Sequence, residues 1–167
     1  DYNFDNIMAA ITIGNHLGVS LDNALNGVAN YAPTNNRSQW IQKSHNLIFM
    51  DAYNANPSSM EVALRNFANM SQPDKLVIMG DMFEMGEHAE KEHELIYQYA
   101  STLHFDHLLV AGEHFKQQAL KQGKDGFNNA IEINEILKKL DLDNTAIFIK
   151  GSRGMAMENV LNGIITV

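Results

Sequence analysis

Short apolar runs recurring between helical patterns constrain the fold of this chain more than any other feature. Leu47 to Met50, Leu108 to Ala111 and Ala146 to Ile149 are apolar without alternation and too short to be buried helices. Strands that read this way are covered on both faces, the situation in a mostly parallel sheet with helices above and below. The same runs fall far short of the roughly 20 apolar residues that a membrane-spanning helix needs.

From Arg37 onward the pattern alternates. An edge strand is expected over Ser38 to Lys43, where polar and apolar residues alternate, and a buried strand over Asn46 to Met50. Pro57 suits the first turn of a helix, where its missing N–H would have no partner in any case, and that helix should reach about Met70. There follow a strand at Lys75 to Met79, a helix at Glu87 to Thr102, a strand at His107 to Ala111 and a helix at His114 to Lys121. A short strand at Ala130 to Ile133, a helix at Asn134 to Leu140, a strand at Thr145 to Ile149 and a helix at Met155 to Ile164 complete the reading. The expected fold class is α/β, a Rossmann-like three-layer domain with a mostly parallel sheet of about six strands. A short helical segment precedes it: Phe4, Ile7, Met8, Ile11 and Leu17 lie near helical spacing, and Ser20 caps a second helix through Leu21, Leu25 and Val28. Tyr31 to Asn36 is polar, contains Pro33 and reads as the linker, so two parts are expected, 1–33 and 34–167.

Composition narrows the function. The 167 residues are 45% apolar, enough for one domain that buries roughly two-thirds of its unfolded surface. Twelve Lys and Arg against twenty Asp and Glu leave a net charge of −8, which disfavours a nucleic-acid partner bound through its phosphates. Without cysteine there is no disulfide, thiolate metal site or Cys nucleophile, which is compatible with a cytoplasmic protein. Neither G-x-x-x-x-G-K-[ST] nor G-x-G-x-x-G occurs, so the chain carries no phosphate loop of its own.

In an open parallel sheet, ligands gather beyond the carboxyl ends of the strands. The loops there are Asp51 to Asn56, Gly80 to Gly86, Gly112 to His114, and Lys150 to Gly154. In the first, a carboxylate able to accept from vicinal hydroxyls precedes Tyr53, Asn54 and Asn56, and the same residues suit a turn and a helix cap. In the second, Asp81 and Glu84 can hold an ammonium group or a cation, or equally can complement the dipole of the next helix. The last places Lys150, Ser152 and Arg153 at a strand-to-turn junction, a cradle for an anion or a solvated turn. With arginine limited to Arg37, Arg65 and Arg153, its presence there is informative. His93 reads as a surface or packing histidine, and the histidine spacing makes no zinc site, so no metal ligand is assigned in this chain.

Three ordered motifs carry a resemblance. Asp51-x-Tyr53-Asn54-x-Asn56-Pro57, Gly80-Asp81-Met82-x-Glu84-Met85-Gly86 followed by His93, and Lys150-Gly151-Ser152-Arg153 before Met157-Glu158 resemble the carboxy-terminal region of the Mur ligases, and most nearly the dipeptide-adding type. Asn3-x-x-Asn6-x-x-Ala9-Ala10 with Gly18-Val19 resembles the helix that closes the family's central ATPase domain, and Asn36-Arg37-Ser38-Gln39 its next marker. Tyr2 stands where the family usually has His. The resemblance implies a ligase of peptidoglycan precursor synthesis. ATP with Mg²⁺ phosphorylates the terminal carboxylate of UDP-N-acetylmuramoyl-tripeptide, and the amine of D-alanyl-D-alanine attacks the acyl phosphate. By motif match, Asn3, Asn6, Arg37, Asp51, Tyr53, Asn54 and Asn56 would serve ATP. Asp81, Glu84, Lys150, Ser152 and Arg153 would serve the dipeptide, with Asp51→Ala weakening ATP use in an intact fold. The family's phosphate loop and magnesium ligands belong to a central domain whose motifs this sequence lacks. The chain is therefore expected to be a fragment, inactive alone, of a monomeric cytoplasmic enzyme. The competing expectation is a non-catalytic Rossmann-like module that binds a nucleotide or an amino acid.

Overall fold

The computed structural model describes residues 4–164, which divide into two compact units at Pro33/Thr34. In the first unit, α1 (Phe4–His16) and α2 (Leu21–Ala29) pack on each other. Gly18, at φ +90°, turns the chain between them, and the Ser20 side chain accepts from Asn23 N–H to cap α2. Neither helix buries a residue, and Phe4, Met8, Leu17, Leu21 and Leu25 are exposed.

The second unit is a three-layer α/β domain. Its strands are β1 (Gln39–Lys43), β2 (Asn46–Asp51), β3 (Asp74–Gly80), β4 (His107–Ala111) and β5 (Thr145–Lys150). They lie in the order β1-β2-β5-β3-β4, antiparallel only at the β1–β2 hairpin. Central β5 is buried at all six residues, as its unbroken apolar run requires, whereas edge strand β1 alternates. One face of the sheet, with Val77, Met79, Val110 and Phe148, packs under α3 (Pro57–Ala68), α4 (Ala89–Thr102) and α5 (Glu113–Lys121). The other face, with Ile48, Ile78, Ile147 and Ile149, packs on α6 (Ala130–Leu137) and the turns that follow β5. Each such side chain, wholly buried, contributes roughly 1.5–3 kcal/mol relative to exposure.

The sheet has five strands, one fewer than the sequence pattern predicts. The expected strand at Ala130 to Ile133 is the start of α6, and the helix expected from Asn134 is its continuation. Asn129 decides this, because its side chain accepts from the N–H groups of Ile131 and Glu132 at 2.9 and 3.1 Å and so caps a helix. Ala130, Ile133, Asn134 and Leu137 are then buried at helical spacing. Beside β4 there is only a single bridge, from Phe127 to Ala111. The expected terminal helix from Met155 is instead two 3₁₀ turns, Arg153–Met155 and Met157–Asn162, separated by Ala156 at φ +47°. That left-handed residue interrupts helical hydrogen bonding. It accompanies Met157 as it tucks against the loops after β3 and β5, where a Cβ on Gly80 or Gly151 would lie 2.7 or 2.8 Å from the Met157 side chain.

Candidate functional site

Because β2, β5, β3 and β4 run parallel, their carboxyl ends share one rim, with the loop after β5 between those after β2 and β3. At the β2 end, Asp51 and Lys150 are register partners, and the Lys150 ammonium donates to the Asp51 carboxylate. Lys150, 2% exposed, also donates to the Asn54 carbonyl at 3.0 Å. The other Asp51 oxygen accepts from Ser38 N–H at 3.1 Å, and Ala52 N–H donates to the Asn36 carbonyl at 2.8 Å. This one buried pair therefore ties the segment preceding β1 to the turn after β2. On the outside of that junction the Arg37 guanidinium lies 3.5 Å from the centre of the Tyr53 ring, a cation–π stack with Tyr53 41% exposed. Asn54 is exposed beside it, and Asn56 caps α3 reciprocally with Ser59.

At the β3 end, Asp81 is buried, and its carboxylate accepts from His114 N–H and Phe115 N–H, both at 2.9 Å. It thus caps α5 and satisfies two of the amides that a helix start leaves without partners. Three consecutive amides of the loop after β3 are each held by a different element. Asp81 N–H donates to the Ala111 carbonyl at 3.1 Å, Met82 N–H to His93 Nε2 at 2.9 Å, and Phe83 N–H to Ser152 Oγ at 2.8 Å. Glu84, at φ +63°, is exposed on that loop. Phe83, Glu84 and Met85 face Glu113, His114 and Asn128 across a groove of about 490 Å³. Arg153, largely exposed, pairs with Glu158. Among the described residues, no group of three or more His, Asp or Glu is placed to hold a metal ion, and no helix is long and apolar enough to cross a membrane.

The rim thus collects most of the residues singled out in the sequence, in two groups. Arg37, Asp51, Tyr53, Asn54 and Asn56 stand at the β2 end; Asp81, Glu84, Ser152 and Arg153 stand on the loops after β3 and β5. Lys150, grouped by the resemblance with the second set, is bonded to the first. Asn6 is exposed on α1 in the separate first unit, and Asn3 lies outside the described residues. Glu158 carries no role in the sequence reading, and His93 reads there as a surface or packing histidine; it is not on the surface but wholly buried, bridging α4 and the β3 loop. The signal for His93 was its place in a helix one turn after Ala89, whose carbonyl receives its Nδ1–H at 2.6 Å.

A family model described as Mur ligase, glutamate ligase domain, matches residues 36–153. The chain belongs to the Mur ligase family. Its curated relatives include the UDP-N-acetylmuramoyl-tripeptide–D-alanyl-D-alanine ligases of Bacillus subtilis strain 168, 29% identical, and Escherichia coli K12, 30% identical. Each match covers 98% of this chain but only 38% and 37% of the relative. The chain thus spans little more than a third of the length of these ligases. Among solved structures, MurF from Acinetobacter baumannii superposes with a TM-score of 0.87 at 28% identity, covering 98% of this chain and 38% of that one. MurF from Thermotoga maritima, solved with ADP, shares the fold with a TM-score of 0.75 at 22% identity, covering 95% and 36%. Burial pushes the His93 imidazole below its ordinary value, against the opposing pulls of the Ala89 carbonyl and the Asp81 carboxylate. The unfolded chain takes up this proton near pH 6.5, the folded chain only at lower pH, so between the two the unfolded state holds more protons. Stability is therefore complete above about pH 6.5 and falls as the solution is acidified through the folded value. Urea midpoints measured from pH 7.5 to 5.5 should decline more steeply for the native chain than for His93→Gln, and parallel curves would refute the assignment.

Proposed function

We propose that this chain is the carboxy-terminal part of an ATP-dependent ligase that joins D-alanyl-D-alanine to UDP-N-acetylmuramoyl-tripeptide in peptidoglycan precursor synthesis. The observation that carries the reading is the two-part rim, with a cation–aromatic surface at β2 and a groove of mixed polar and apolar lining between the β3 loop and α5. It is supported by relatives of that activity, which match nearly the whole chain. In this reading residues 34–167 are the carboxy-terminal domain, and residues 1–33 are the helical tail of the ATPase domain. The exposed apolar residues of α1 and α2 fit such a tail. The enzyme would be a cytoplasmic monomer.

Arg37 and Tyr53, with Asn54, offer ATP a cation, an aromatic face and an amide; Asp51, whose two oxygens are held by Lys150 and Ser38 N–H, supports that surface on the ribose side, and Asn3 and Asn6 are assigned to the base by motif match alone. Lys150 is reassigned from the dipeptide to the support of Asp51, because its ammonium is buried and already has two acceptors. Arg153 supplies a cation for the dipeptide carboxylate, Glu84 lines the approach, and Asp81 and Ser152 hold the walls. The bound nucleotide supplies the phosphoryl group that activates the tripeptide carboxylate. This chain's contribution is to orient the amine toward the activated carbonyl and help keep water out, which makes attack effectively intramolecular. The described residues include no acidic cluster fit for Mg²⁺, whose ligands fall to the rest of the longer protein in this reading.

Arg37→Ala tests the ATP side. In the full-length protein it should raise the KM for ATP about tenfold, the scale of one charge-assisted contact, while the KM for D-alanyl-D-alanine stays within about twofold. Because Arg37 and Tyr53 are exposed, thermal stability should not move. An unchanged KM for ATP would remove Arg37 from the nucleotide site.

A further inference from the structure

His93 is wholly buried and has no part in the reaction as proposed. Its two hydrogen bonds fix its chemical form. Nδ1 lies 2.6 Å from the Ala89 carbonyl, which can only accept, and Nε2 lies 2.9 Å from Met82 N–H, which can only donate. Both are satisfied by the neutral imidazole with its proton on Nδ1 and by no other form. The groups that face the ring are Asp81 from the β3 loop, with Oδ1 3.6 Å from Nε2, His114 and Phe115 from α5, with ring centres 4.7 and 4.6 Å away, and Glu92 from α4.

Protonation would set Nε2–H against Met82 N–H, two donors at hydrogen-bond distance. The acceptor left for the new proton is Asp81 Oδ1, which already caps α5 through Phe115 N–H. Met82 lies on the loop that forms one wall of the groove, and the capped amides open the helix that forms the other. One proton thus disturbs both walls, while the Arg37–Tyr53 surface at the β2 end hangs on different contacts.

We propose that His93 is a positioning residue whose neutral imidazole holds the two walls of the groove in register for the amine substrate. This rests on the reading of the groove as the D-alanyl-D-alanine side. Burial pushes the imidazole below its ordinary range, which keeps it in the required form at neutral pH.

The test is steady-state kinetics of the full-length protein from pH 5.5 to 8.5, with melting temperatures for each variant. In the native protein the KM for D-alanyl-D-alanine, expressed on the free-amine form of the dipeptide so that its own protonation is removed, should rise as pH falls through the folded value of His93, which lies below its ordinary one, while the KM for ATP does not follow. His93→Gln provides an amide oxygen as a permanent acceptor for Met82 N–H. It should flatten that acid rise and keep the dipeptide KM at pH 8 within about threefold of native, a conservative rescue. His93→Phe fills the space without an acceptor and should raise the dipeptide KM about tenfold to a hundredfold at every pH, with the KM for ATP within about twofold. An unaltered acid rise in His93→Gln, or a native dipeptide KM in His93→Phe, would overturn the role. Should His93→Phe fail to fold, the His93→Gln profile still decides. A native protein with no dipeptide-dependent turnover at any pH would instead overturn the functional reading, and this role with it.

Discussion

Lys150→Met lowers the unfolding free energy of the chain by about 3–5 kcal/mol, and Asp51→Leu combined with Lys150→Met regains most of the loss. The size follows from burial: the side chains of Lys150 and Asp51 are 3% and 12% exposed, so neither charge can turn to water when its partner is removed. Methionine keeps most of the lysine stem's volume, but the Asp51 carboxylate is left with one N–H, from Ser38, and the Asn54 carbonyl loses its donor. The double variant removes both charges and so avoids the uncompensated ion. Urea unfolding at neutral pH is the measurement. A loss below about 1 kcal/mol for Lys150→Met would mean that solvent screens the pair as it does at a surface. Since the pair also anchors the segment carrying Arg37 and the turn carrying Tyr53, Lys150→Met should raise the KM for ATP as well. The expectation that Asp51→Ala spares the fold changes accordingly, because that variant strands the lysine.

Gly112→Ala is the second large effect. Gly112 sits at φ +109° and ψ 165°, a region that side-chain-bearing residues avoid, and its Cβ would stand 2.2 Å from Asp81 Cγ. Backbone strain alone is worth about 1–3 kcal/mol. The clash adds to it by driving Asp81 off the two amides it caps, at a further cost of about 1–2 kcal/mol. Asp81→Ala removes the obstacle, so in that background Gly112→Ala should cost only the strain. A double-mutant cycle should therefore return a coupling of about 1–2 kcal/mol. Additive effects would mean that Asp81 and Gly112 are not in contact.

The fold was legible where local chemistry and tertiary packing agree. Continuous apolar runs gave β2, β4 and β5, and Pro57 after Asn56 gave the start of α3. The misreading at Ala130 to Ile133 arose because four residues cannot separate a period of 2 from one of 3.6, while the deciding signal, Asn129 two and three residues ahead of the amides it caps, lay outside the run. The left-handed Ala156 could not be read at all. It accompanies the close packing of Met157 against Gly80 and Gly151, contacts between segments distant in sequence. In the rim, sequence order placed the loops correctly but could not reveal that Asp51 and Lys150 are one pair. Their 99-residue separation closes only when β5 inserts beside β2. Asp81 had two open readings, a ligand or a partner of the next helix's dipole; the helix its carboxylate caps is α5, which follows β4, and not α4, the next in sequence.

The central proposal, a ligase that takes D-alanyl-D-alanine as acceptor, is tested most directly by acceptor-dependent ADP release. The full-length protein would be supplied with ATP, Mg²⁺ and UDP-N-acetylmuramoyl-tripeptide, and D-alanyl-D-alanine compared with single amino acids. ADP release, with matching formation of the UDP-N-acetylmuramoyl-pentapeptide, is expected only with the dipeptide, and none is expected from the 167-residue chain alone. Turnover that prefers a single amino acid, or ATP hydrolysis at an enzyme-like rate by the isolated chain, would contradict the proposal.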